Sequence, residues 1–130
     1  MTTWDPNQPQ NQSVDKQQLA QFLTLTEQQL TALVDHLSEE TINNQRFLMS
    51  LTLDDWQPVG DHFSAAELKQ LVKFFTLAEM QLPGWEGQDK SPVIWLCKIL
   101  KQQGEFPDKT LTQWVKANSN NRFLPYGSVL

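Results

Sequence analysis

The sequence predicts an all-α fold of five or six helices in a compact orthogonal or irregular bundle with a structured C-terminal tail. Apolar residues recur at spacings of three and four along most of the chain, which is typical of amphipathic helices. Helix-start signals precede several of these stripes. Sustained two-residue alternation, the pattern of a half-buried strand, does not occur in the sequence.

A length of 130 residues fits one domain, because single domains cluster at roughly 100–150 residues. Residues 1–12 are rich in Pro, Asn and Gln, with Trp4 as the large apolar side chain. This composition predicts a disordered N-terminal tail over 1–12. A single helical domain is predicted over 13–130.

The first helical region begins near Ser13, a favoured N-cap residue. A capping-box pattern at Thr26 predicts a second helix start. Residues 14–37 form either one helix or two kinked pieces, and the sequence leaves both alternatives open. Ser38 is followed by two glutamates, which favour the positive N-terminal end of a helix.

The region 52–60 contains two aspartates, a proline and a glycine, and this composition predicts a turn. The clearest helix start comes next, because Ser64 and Glu67 form a capping box. We expect that helix to stop at Pro83 and Gly84.

Ser91 as a cap and Pro92 at the first helical position predict the next helix. This helix, over 92–103, is the most apolar in the chain, so we expect it to lie at the centre of the bundle. Gly104 ends it, and Asp108 caps a last helix.

Two segments of the chain resemble each other: residues 18–30 and 70–82 are identical at eight of 13 positions, at an offset of 52. A shorter similarity follows in the same order in both halves. Gene duplication would give two related helical units, 13–56 and 64–130. Chance similarity within a Gln- and Leu-rich helical pattern is the alternative.

Composition excludes several function classes. A net charge of −5 argues against a general nucleic-acid coat protein, because phosphate binding requires an excess of Lys and Arg. One cysteine excludes an internal disulfide and a cysteine-only zinc site. The longest apolar run is five residues, too short to span a membrane. No secretory signal is visible, so a cytoplasmic protein is expected.

The charge is unevenly distributed. Residues 1–97 hold five basic and 13 acidic side chains, whereas residues 98–130 hold five basic and two acidic side chains. A basic region with nearby aromatic side chains predicts a candidate site for single-stranded nucleic acid or a phosphate ligand. The alternative is that these cations pack against the acidic helices or solvate helix ends. The candidate anion-binding residues are Lys98, Lys101, Lys109, Lys116 and Arg122.

The C-terminal segment combines arginine and aromatic residues, which are favoured in protein interfaces. Two alternatives stay open: the segment folds back and seals the core, or it is presented to a partner as an extended peptide. Trp85, on a Gly- and Pro-containing loop, is a further candidate contact. The candidate partner-binding residues are Trp85, Arg122, Phe123, Leu124 and Tyr126.

Signals for catalysis are weak. Three carboxylates and an imidazole at Asp54, Asp55, Asp61 and His62 could bind a divalent metal. Their spacing matches neither the calcium-loop nor the zincin pattern, and the capping and turn roles of Asp side chains are the alternative explanation. Cys97 lies in an apolar helix, which indicates a buried, inert thiol. Phosphate-loop and nucleophile-elbow motifs do not occur in the sequence.

The function predicted first is therefore a small non-enzymatic protein-interaction or regulatory module that binds another protein. The second is binding of single-stranded nucleic acid or a phosphate ligand through the basic C-terminal region. The third is a metal-assisted enzyme. Neither a catalytic residue nor a cofactor is predicted.

Overall fold

A computed structural model describes residues 14–82, 84–105 and 109–119, and these residues form helices and turns without a β-strand. The predicted all-α class is confirmed. The helices in chain order are α1 (Lys16–Phe22), α2 (Glu27–Leu30), α3 (Leu33–His36), α4 (Glu39–Asn44), α5 (Leu53–His62), α6 (Ala65–Gln81), α7 (Pro92–Gln102) and α8 (Lys109–Asn118). Two 3₁₀ segments, Arg46–Ser50 and Gln88–Lys90, lie between them.

The first helical region divides into three short helices rather than one or two. Asp15 caps α1, because its carboxylate accepts hydrogen bonds from the backbone N–H groups of Gln17 and Gln18. The predicted cap, Ser13, lies outside the described residues. The predicted start at Thr26 is confirmed, since Thr26 and Gln29 form a reciprocal capping box.

The predicted turn over 52–60 is wrong, because these residues belong largely to α5. Thr52 and Asp55 form a capping box that starts the helix, and Trp56 and Val59 bury its inner face. Pro58 is exposed inside the helix. Its ring removes one intrahelical hydrogen bond, and tertiary packing of the buried face outweighs that local preference.

The central helix is α6, and not α7 as predicted. It packs against α1, α3, α7 and α8, whereas α7 packs against α5, α6 and the 3₁₀ segment Gln88–Lys90. The predicted capping box of Ser64 and Glu67 is confirmed at the start of α6, and Ser91 caps α7 with Pro92 at its first position. The predicted cap of α8, Asp108, lies outside the described residues.

An aromatic cluster fills the core around α6. The ring of Phe75 makes edge contacts with Trp56 at 5.5 Å and Phe74 at 5.0 Å between centroids. It also lies 6.5 Å from the ring of Trp85. All four side chains are buried, and each aromatic pair adds about 1 kcal/mol to the stabilisation from burial.

The two similar segments have different secondary structures. Residues 18–30 span α1, a turn and α2, whereas residues 70–82 lie almost entirely in the continuous helix α6. The segments pack against each other, and Phe22 stacks on Phe74. Duplication of a helical unit stays a prediction.

Within the described part of the chain, the helices are either too short or too polar to cross a membrane.

Candidate functional site: a cleft between α2, α6 and α8

A cleft of about 280 Å³ opens between the α1–α2 turn, α2, α6 and α8. We call it the α2–α6–α8 cleft. Its apolar lining comes from Leu25 and Leu30 on one side, Leu77 on α6 and Trp114 on α8. Leu25, Leu77 and Trp114 are half-buried, so large apolar side chains from three different elements reach the same surface depression.

Helix periodicity explains why these side chains meet. Gln70, Lys73 and Leu77 are spaced by three and four residues on α6, which places them on one face of the helix. Trp114 and Asn118 are four residues apart on α8 and share a face in the same way. Each helix therefore presents both polar and apolar groups to the cleft.

Charged and polar groups surround the apolar lining. The ammonium nitrogen of Lys73 lies 5.6 Å from the centroid of the Trp114 ring, within the range of a cation–π interaction. Glu27, the first residue of α2, is exposed and also lines the cleft. The cleft thus carries one positive and one negative side chain beside an aromatic surface.

Hydrogen bonds hold the walls of the cleft in place. The side-chain amide of Gln81 donates to the carbonyl oxygen of Leu30 at 2.8 Å, and its oxygen accepts from the backbone N–H of Leu33 at 2.8 Å. This pair of bonds ties the break between α2 and α3 to the end of α6. Asn118 donates its side-chain N–H to the carbonyl oxygen of Trp114 at 2.8 Å.

Trp85 does not reach this cleft or any other surface. It is 0% exposed, and its indole N–H donates to the backbone carbonyl of Ile42 at 3.0 Å. The burial of Trp85 contradicts its predicted role as an exposed partner contact. Its loop is fixed by the buried Glu79 carboxylate, which accepts from the backbone N–H of Gly87 and from the hydroxyl of Ser91.

The other predicted partner-binding residues, Arg122, Phe123, Leu124 and Tyr126, lie outside the described residues. Ser119 is the last described residue. Asn118, directly before it, lines the cleft.

The predicted anion-binding lysines are exposed, but they lie on two helices. Lys98 and Lys101 belong to α7, and Lys109 and Lys116 belong to α8. The ammonium nitrogen of Lys98 lies 5.5 Å from the centroid of the Trp95 ring. Binding of a nucleic acid or phosphate ligand by these side chains stays a prediction.

The structure does not bring the remote metal candidates together. Asp54 and Asp55 lie in the first turn of α5, and Asp61 and His62 lie at its last turn. The Asp55 carboxylate is already used, because it accepts the backbone N–H of Thr52 at 2.9 Å. No cluster of three or more metal-ligating side chains occurs within the described ranges.

Cys97 is buried in α7. Burial raises the pKa of its thiol to about 12, because an apolar environment disfavours the thiolate. A thiol with such a pKa is a poor nucleophile near neutral pH. Cys97 therefore serves as a small apolar core residue, as the sequence predicts.

Sequence reasoning missed the cleft-lining residues Leu25, Lys73, Leu77 and Trp114. Leu77 and Trp114 belong to amphipathic stripes and are indistinguishable there from core positions, Leu25 lies in the turn between α1 and α2, and Lys73 resembles an ordinary surface lysine. The signal that could identify them is the pairing of a lysine with apolar residues on one helix face, although that pattern is common on surfaces.

Comparisons with protein-family models, curated proteins and solved structures found no match to this chain.

Proposed function

We propose that this protein is a non-enzymatic interaction module that binds a short amphipathic segment of another protein in the α2–α6–α8 cleft. The observation that carries the proposal is the convergence of half-buried Leu25, Leu77 and Trp114 on one cleft of about 280 Å³. Interface contacts are dominated by a few apolar and aromatic groups in such depressions, surrounded by polar side chains.

The lining determines the chemistry of the bound segment. Leu25 and Leu77 favour an aliphatic or aromatic side chain, and the Trp114 ring offers a flat surface for it. Lys73 and Glu27 favour one acidic and one basic side chain on either side of that residue. The cleft volume accommodates a few side chains and not a folded domain, which is why the proposal specifies a short segment.

The experiment is a selection of peptides from a displayed random library on the immobilised full chain, followed by calorimetric titration with the synthetic peptides. We expect selected peptides to share an apolar residue and to bind with micromolar Kd. The variant Leu77→Glu places a charge in the cleft and should weaken binding by at least about tenfold.

Met80→Glu is the matched control, because Met80 is on the same helix, is 47% exposed and does not line the cleft. Peptides that bind the wild type and both variants equally would contradict the proposal. Failure to select any peptide whose binding depends on Leu77 would contradict it as well.

A further inference from the structure

We propose that the C-terminal segment of this chain, residues 120–130, binds in the α2–α6–α8 cleft of the same molecule and covers it when no partner is bound. The inference concerns the cleft of the proposed function, but it stands whether or not a partner binds there. It makes the segment an intramolecular competitor of the partner.

The first argument is position. Trp114 and Asn118 both line the cleft and are one helical turn apart, about 6 Å along the axis of α8. The chain continues from Asn118 directly beside the cleft. The five residues from Asn118 to Phe123 span up to about 17 Å when extended, so Phe123 can reach back past Trp114.

The second argument is chemical complementarity. Phe123, Leu124 and Tyr126 bring apolar side chains to a cleft lined by the half-buried leucines and Trp114. Pro125 disfavours the helical conformation at Leu124. An extended segment with this restriction loses less conformational entropy on docking than an unrestricted one.

The third argument is charge. Arg122 directly precedes the apolar residues, and Glu27 is exposed on the cleft. An exposed ion pair between Arg122 and Glu27 would contribute little to affinity. It would favour an orientation that brings Arg122 to Glu27 over one that brings it to the like-charged Lys73.

Tethering makes this contact effective even at low intrinsic affinity. A segment joined by a short linker acts at an effective concentration of about 1 mM. A contact with a Kd of about 0.1 mM, weak for two separate molecules, would therefore occupy the cleft in about nine of ten molecules. A partner segment would have to compete with this occupancy, which weakens its apparent affinity.

The test is hydrogen exchange of the full chain, measured by mass spectrometry on fragments that cover 120–130. The free synthetic peptide 120–130 serves as the reference. In the wild type we expect amides of the segment to exchange at least about tenfold more slowly than in the free peptide. Leu77→Glu and Phe123→Ser should each return exchange to the free-peptide rate, whereas Met80→Glu should leave protection unchanged.

Charge reversal gives an independent readout. Glu27→Arg should reduce the protection, and the double variant Glu27→Arg with Arg122→Glu should restore it. Circular dichroism confirms that each variant remains helical.

Three results would overturn the proposal. The first is exchange of 120–130 at the free-peptide rate in the folded wild type, and the second is protection that Leu77→Glu does not change. The third is protection that increases with protein concentration, because the occupant would then be the segment of a second copy. Library peptides that fail to bind the cleft would contradict the proposed function and leave the protection of 120–130 as a separate result.

Discussion

Phe22 and Phe74 occupy equivalent positions in the two similar 13-residue segments and stack directly on each other. Their ring centroids are 4.2 Å apart and their planes are inclined by 14°. Both side chains are almost fully buried. The contact therefore joins the N-terminal helices to the central helix at the point where the two segments correspond.

This contact predicts energetic coupling between the two rings. We expect Phe22→Leu and Phe74→Leu each to lower the free energy of unfolding, and the double variant to lower it by less than the sum of both. The difference should be about 1 kcal/mol, which is typical of an aromatic pair. Urea unfolding of the wild type, both single variants and the double variant measures it. Strict additivity would contradict the contact.

We expect the two fully buried tryptophans, Trp56 and Trp85, to lose different amounts of stability when each is replaced by phenylalanine. The indole N–H of Trp85 donates to Ile42, whereas that of Trp56 has no partner among the described residues. Trp85→Phe removes a buried hydrogen bond and should cost about 1–2 kcal/mol more than Trp56→Phe. Thermal or urea unfolding of both variants compares them directly. Equal losses would contradict the assigned hydrogen bond.

Gly60 marks a close approach of α5 to α7. A Cβ atom at this position would come within 2.4 Å of Ile99 Cγ2, and the Gly60 carbonyl accepts from the Gln103 side chain at 2.8 Å. Although alanine is the better helix former by about 1 kcal/mol, Gly60→Ala should lower the free energy of unfolding, because overpacking costs about 1–3 kcal/mol. Asp61→Ala, at the adjacent exposed position, should change it by less than about 0.5 kcal/mol. If Gly60→Ala instead raises the free energy of unfolding, α5 and α7 are further apart than the contact of Gly60 with Ile99 indicates.

Because Cys97 is buried, we expect the free energy of unfolding to fall in alkaline solution. Its pKa is raised from 9.0 in the exposed thiol to about 12 in the folded protein. The unfolded chain therefore releases a proton above pH 9 while the folded chain retains it, which favours unfolding. The contribution of this thiol to the free energy of unfolding is fully present below pH 9. Above pH 9 it falls by up to about 1.4 kcal/mol per pH unit.

The measurement is the free energy of unfolding from pH 8 to 11 for the wild type and Cys97→Ala. Other groups titrate in both proteins, so the difference between the two curves isolates Cys97. We expect the wild type to lose stability more steeply above pH 9. Parallel curves, or rapid reaction of the native protein with a thiol reagent at pH 7, would place Cys97 at the surface.

The sequence predicted helix starts well where side chains cap their own backbone. Thr26, Ser38, Ser64 and Ser91 each act within three residues, so the signal is local. The prediction was wrong at α5. Pro58 and Gly60 are unfavourable for a helix, and the packing that overrides this preference comes from distant elements. The predicted exposure of Trp85 was wrong for the same reason, since its indole N–H donates to the carbonyl of Ile42, which is 43 residues away.

The candidate site was beyond prediction from the sequence. Lys73 and Trp114 are separated by 41 positions and meet only because α6 and α8 pack together. Nothing in the residues around either one distinguishes a cleft wall from an ordinary amphipathic helix. The predicted lysines and the C-terminal aromatic residues stay predictions.

The hydrogen bonds of Gln81 make the early helices depend on a residue far along the chain. In the first similar segment, the equivalent Gln29 accepts a bond from Thr26 and closes its own helix start. Gln81 instead reaches Leu30 and Leu33, 51 and 48 positions away. A fragment that ends before α6 would lose Gln81 and with it both hydrogen bonds, so we expect its N-terminal helices to unfold. We therefore expect the described helices to unfold in one cooperative transition, so that neither half survives proteolytic separation as an independent domain.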